Sequence, residues 1–147
     1  MTETPSTAAV TAMTPPHLRV ARPVRDLRRA LAMYRDGLGL SLLGHFEDHA
    51  GFDGVMLGWP GAAYHLELTV CRAHPVPPSP GPEDLLVFYF PDQAAWSAAC
   101  ERLSRAGFTR VPSLNPYWDQ RGRTYQDADG YRTVLENAAW PGAAADA

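Results

Sequence analysis

Four side chains with donor or acceptor chemistry fall into two pairs of the same spacing, His17 with Arg19 and His65 with Glu67. Residues two apart on a β-strand share a face, so two neighbouring strands could bring all four together. Two imidazoles and a carboxylate (His17, His65, Glu67) form a set that can hold iron or another divalent metal on one side. Without metal, a carboxylate beside His65 places an imidazole where protons move near neutral pH, which makes His65 and Glu67 the candidate acid–base pair. A structural histidine is the plainer role for His65. Arg19 can only donate, and it has two roles open to it: neutralising a buried Glu67, or receiving an anionic or carbonyl oxygen of a ligand.

Further candidates lie elsewhere. In Asn115-Pro116-Tyr117-Trp118-Asp119, Tyr117 and Trp118 could wall a planar ligand and Asn115 could hydrogen-bond it; otherwise the stretch is a rigid turn with aromatic plugs. Residues 45–53, with His45, His49 and Asp53, read as a solvated loop or a lid over a cavity mouth. Arg22, Arg25, Arg28 and Arg29 read as an exposed basic helix face. All 13 basic side chains are arginine, so a Schiff-base or P-loop lysine is excluded. A net charge of -3 offers no footprint for nucleic acid.

These residues need elements to position them. The chain of 147 residues suits one domain, with a Thr/Pro/Ser/Ala-rich arm over 1–15 and a tail over 142–147, both read as disordered. Apolar alternation predicts a strand over Leu18–Val24. Asp26 then caps a helix running to about Asp36, which Gly37 and Gly39 stop. Strands follow over Leu40–Phe46, Val55–Trp59 and Tyr64–Val70. A Pro-rich linker over 72–83 leads to a second round: a strand over Leu85–Phe90, a helix capped by Asp92 and ended by Gly107, and strands near Phe108–Val111, Arg123–Gln126 and Arg132–Asn137. The caps Asp26 and Asp92 are 66 residues apart and the glycines Gly39 and Gly107 are 68 apart. A near-constant offset means a duplication. The expected fold is α+β: two tandem β-α-β-β-β modules, about 17–71 and 84–138 within a domain over 16–141. Their sheets would curl around a shared cavity, with the helices outside.

The segments Val24-Arg25-Asp26-Leu27 and Tyr34-Arg35-Asp36-Gly37-Leu38-Gly39-Leu40 resemble the opening of the vicinal oxygen chelate superfamily. That group includes glyoxalase I, extradiol dioxygenases, and fosfomycin- and bleomycin-resistance proteins. Asp127-Ala128-Asp129-Gly130-Tyr131 is similar to its late Asp-Pro-Asp-Gly turn, and Leu66-Glu67-Leu68-Thr69 to the strand closing its first half. The resemblance covers about residues 17–138. It implies four inward metal-ligand positions, which fall here on Arg19, Glu67, Leu85 and Val134. One carboxylate among an arginine and two aliphatics does not make a metal site. Asp84 and Glu136, the nearest second-half donors, sit at strand ends. The same alternation turns Tyr89 inward beside Leu85.

Two functions remain open at this point. One is a protein that binds a small organic molecule in a metal-free cavity through Arg19, Tyr89, Asn115, Tyr117 and Trp118, as drug-sequestering proteins do. The other is an enzyme of lyase, isomerase or dioxygenase type, using His65 and Glu67 without metal or a divergent divalent-metal site at His17, His65 and Glu67. No cofactor is expected in the first case. The resemblance implies a homodimer. The lone thiols Cys71 and Cys100 suit a reducing cytoplasm, and no apolar run is long enough to span a membrane.

Overall fold

The computed structural model describes residues 14–142, so the arm and tail expected at the ends lie almost wholly outside the described residues. Strand β1 (Leu18–Pro23) leads into helix α1 (Leu27–Leu38), then β2 (Ser41–His49), β3 (Phe52–Gly58) and β4 (Tyr64–Cys71). The order repeats with β5 (Leu85–Tyr89), α2 (Gln93–Arg105), β6 (Thr109–Val111), a one-turn helix α3 (Tyr117–Gln120), β7 (Gly122–Gln126) and β8 (Arg132–Glu136). The sheets run β1-β4-β3-β2 and β5-β8-β7-β6, and in each the opening strand pairs in parallel with the closing one. This is the tandem α+β architecture the sequence predicts.

The helix starts follow their caps. The Asp26 carboxylate accepts the Arg29 N–H at 3.0 Å and the Asp92 carboxylate the Ala95 N–H at 2.9 Å. Gly39, with φ 73°, closes α1 in the left-handed conformation. Gly37, expected to stop the helix together with Gly39, does not; it lies inside α1. A Cβ there would stand 3.1 Å from the Phe108 ring and 3.2 Å from Ala106, so the bare glycine lets the second module approach. Tyr34 packs edge-on against Phe108 with ring centroids 5.4 Å apart. Val55, Leu57, Leu66 and Leu68 of the first sheet share one buried cluster with Ala99, Leu103, Tyr125 and Leu135 of the second half.

Polar contacts reinforce this seam. Asp127 accepts the backbone N–H groups of Asp129 and Tyr131 through Oδ1, both at 2.9 Å, and the Tyr34 hydroxyl through Oδ2 at 2.7 Å. The Tyr131 hydroxyl donates to the Pro23 carbonyl at 2.9 Å. Arg22 is not an exposed basic residue as expected: alternation turns it toward the core, where it is 6% exposed, 4.6 Å above the Tyr131 ring and 3.6 Å from Asp84.

Residues 45–53 are likewise not a loop or a lid. They belong to a β2–β3 hairpin whose tip turns at Asp48, Ala50 and Gly51, all with positive φ. Asp53 fastens it by accepting the Asp48 N–H at 2.8 Å and pairing with Arg72 at 2.9 Å. Removing the hydroxyl in Tyr34→Phe should lower the unfolding free energy by about 1–3 kcal/mol, the range for a buried hydrogen bond to a charged group. Urea denaturation read by tryptophan fluorescence measures it.

Candidate functional site

Pairing of β1 with β4 sets Arg19 beside His65 and Ala21 beside Glu67. Val20, Leu66 and Leu68 turn toward the helices and pack on the core, so Arg19, His65, Glu67 and Thr69 stand on the open face of the first sheet. There Arg19 Nη1 lies 2.8 Å from Glu67 Oε2, and Arg19 Nε–H donates to His65 Nε2 at 2.9 Å. His65 Nδ1 is 2.6 Å from His17 Nε2. A guanidinium has no lone pair to offer, so His65 Nε2 must be the acceptor. In the neutral ring the proton then sits on Nδ1 and is donated to His17. The result is a directed chain from Arg19 through His65 to His17, with Glu67 held from the other side.

Burial, then the Arg19 charge, then His17 push the His65 pKa below its ordinary value of 6.5; Glu67 pulls weakly the other way. The upward pull of Glu67 does not win, because burial and the Arg19 charge outweigh it. Nor is the ion pair buried: Arg19 is 50% exposed and Glu67 14%. Water screens the pair, so its loss costs about 0–1 kcal/mol rather than the larger penalty of a buried charge.

The metal set His17, His65 and Glu67 does not converge as ligands. His65 uses one ring nitrogen toward Arg19 and the other toward His17, and a cation already bridges His65 to Glu67. No group of three or more His, Cys, Asp or Glu among the described residues is placed to hold a metal. Around Arg19 and Glu67 the sheet forms a depression of about 470 Å³ walled by Phe46, Phe52 and Met56. Phe46 lies flat over Gly54, where a Cβ would stand 2.2 Å from the ring.

The second sheet's outer face is partly covered. Residues 112–120 cross it, with α3 packed on β7, Ser113 Oγ hydrogen-bonded to Thr124 Oγ1 and the Asp119 carboxylate accepting the Ser113 N–H at 3.2 Å. Val134 and Thr124 are consequently buried. The two outer faces do not close into one barrel where a shared cavity was expected. The modules dock through their helices, and each face lines its own depression. On the second sheet that depression, about 300 Å³, takes in Tyr89, Tyr117, Arg121, Glu136 and Trp140.

The predicted aromatic stretch therefore divides. Tyr117 lines the hollow, with Trp118 edge-on to it at 5.0 Å. Trp118 does not line the hollow, and Asn115 turns its Oδ1 onto the Tyr117 N–H at 3.0 Å, capping the short helix. Glu136 and Trp140 were not among the predicted site residues. Glu136 ends a strand in sequence, yet it shares the outer face with Val134 by simple alternation, and that signal was available.

The architecture defines a protein of the vicinal oxygen chelate superfamily. Residues 18–69 match the YycE-like N-terminal domain and residues 83–137 the YycE-like C-terminal domain. YycE of Bacillus subtilis is 42% identical over 121 residues, 82% of this chain and 87% of that protein. The chain belongs to the YycE-like family. The crystal structure of a Bacillus subtilis YycE protein of unknown function superposes with a TM-score of 0.80 at 41% identity, covering 85% of this chain and 91% of that one. The fosfomycin resistance protein FosX of Mesorhizobium loti shares the fold at 15% identity, with a TM-score of 0.63 over 82% of this chain and 90% of its own. TnmS3, an antibiotic binding protein from Streptomyces sp. CB03234, is 26% identical with a TM-score of 0.57, covering 85% and 96% of the two chains.

The Arg19 contact makes a sharp expectation for titration. The His65 imidazole should titrate below its ordinary 6.5, and Arg19→Met should move that midpoint upward, because the nearest repelling charge is gone while Glu67 stays. Proton-detected NMR of the histidine ring signals measures both midpoints. An unchanged midpoint in Arg19→Met would remove the guanidinium from the His65 environment.

Proposed function

We propose that this protein binds a small organic molecule on the open face of its first sheet, without a divalent metal, as a sequestering protein does. The observation that carries the reading is the Arg19 guanidinium, which holds His65 and Glu67 with two of its N–H groups and has donors left over at the edge of the Phe46–Phe52–Met56 depression. Such donors suit a carbonyl or anionic oxygen, and the apolar wall suits the body of the same ligand. The kinship with an antibiotic binding protein supports the reading. Acid–base catalysis by His65 finds less support, since Arg19 occupies the lone pair that would take a proton. Among the described residues no helix is long and apolar enough to cross a membrane. With both cysteines free, a reducing compartment such as the cytoplasm suits the chain.

The ligand arm of the test uses a panel of aromatic carboxylates and ketones. Saturable binding should shift the His65 ring signals and weaken about tenfold in Arg19→Met. Elemental analysis of protein purified without chelator should find no stoichiometric divalent ion, and chelator should leave the melting temperature unchanged. A bound ion removed by chelator with loss of stability would overturn the metal-free reading in favour of an enzyme of lyase, isomerase or dioxygenase type.

We also infer that two copies pair. β1 and β5 are both edge strands, and between them runs an apolar groove of about 530 Å³ with Leu18, Trp59 and Tyr89 exposed along it. Edges of this kind are normally covered. Sedimentation equilibrium should show a dimer that Trp59→Glu converts to monomer; a wild-type monomer at high micromolar concentration would refute the pairing.

A further inference from the structure

Glu136 is the least satisfied side chain on either outer face. It is 4% exposed, and its Oε1 has no hydrogen-bond partner among the described residues. The carboxylate lies over Gly122, the residue paired with it on β7, where a Cβ would stand 2.0 Å from Oε1. A glycine at that position is what admits the carboxylate to the sheet surface. Arg121 lines the same hollow yet forms no ion pair with Glu136 within 4 Å among the described residues. A buried carboxylate oxygen without a donor costs free energy, which a donor brought by a ligand would recover. Around it the hollow presents Tyr89, Tyr117 and Trp140, the last two 48% and 64% exposed. Aromatic faces beside a carboxylate suit positive charge on an organic frame.

We propose that this hollow binds an organic cation whose N–H groups reach the Glu136 carboxylate while its apolar body lies against Tyr117 and Trp140. A volume of about 300 Å³ admits one aromatic ring with a cationic head. The site is on the second sheet and stands apart from the reading of the first, so either can fail alone. Burial and the nearby Asp119 raise the Glu136 pKa, and Arg121 opposes them. An incoming cation favours the charged form of the same group, as Arg121 does.

Benzamidinium is the probe, with benzamide as its neutral counterpart and benzyltrimethylammonium as a cation without N–H donors. Titration calorimetry on the full chain should show benzamidinium binding about tenfold or more tightly than benzamide, with benzyltrimethylammonium in between. Glu136→Gln should bring benzamidinium down to the benzamide level. The Trp140 indole N–H signal should move on addition of benzamidinium, and Trp140→Ala should weaken its binding several-fold. Equal affinity for benzamidinium and benzamide, or a Glu136→Gln protein that binds benzamidinium as the wild type does, would overturn the proposal. Should Glu136→Gln fail to fold, the exposed Trp140→Ala and the indole signal decide: no change in either overturns it.

Discussion

The carboxylate of Asp127 is the point on which the relation between the two modules turns. One oxygen folds the turn that carries it, by accepting the N–H groups of Asp129 and Tyr131, and the other accepts the hydroxyl of Tyr34 from the opposite module. Tyr34 is 1% exposed, so that hydroxyl has no water to fall back on. Burial is the chief cause raising the pKa of both groups. The Asp127-Ala128-Asp129-Gly130 turn is thus more than a reversal between strands. It fixes where the second sheet sits against α1, and Gly37 makes the approach close enough for Phe108 to seal it.

With the modules fixed by their helices, their outer sheet faces are left to differ, and they do. On the first face the charged and imidazole groups are linked to one another: Arg19 serves Glu67 and His65 with two of its N–H groups, and His65 serves His17. A cation held in this way lies between the donors, and burial followed by this charge lowers the His65 pKa. The consequence is chemical as much as structural. The imidazole, with both nitrogens engaged, orients its neighbours.

Much of this was legible in the sequence, for physical reasons. Strand alternation places Arg19, His65 and Glu67 on one face because a period of two leaves no other choice once Val20, Leu66 and Leu68 go to the core. Asp26 and Asp92 mark helix starts because a short carboxylate satisfies an N–H of the first turn better than the backbone can. The tips failed. Residues 45–53 are largely polar and glycine-containing like a loop, yet they belong to a hairpin, because strand hydrogen bonds and the Asp53–Arg72 pair do not depend on apolar side chains. Arg22 looked exposed beside Arg25 and Arg28, but its strand position is a core position, and the Tyr131 ring accommodates its charge.

Glu136 shows most clearly what a linear reading misses. In the chain it is the last residue of a strand, where a charged group normally meets water. In the fold, residues 138–141 after it line the same hollow, residues 112–120 cross the same face, and Gly122 leaves a seat for the carboxylate. None of these is adjacent to Glu136 in sequence, so only the assembled second module buries it. The same duplication that gave both halves one topology therefore left two different electrostatic faces: one where Arg19, His65 and Glu67 pair internally, the other with a carboxylate oxygen, Glu136 Oε1, that has no hydrogen-bond partner among the described residues. A fold that tolerates such a group in one half while pairing the charges of the other does not depend on its outer faces for its shape.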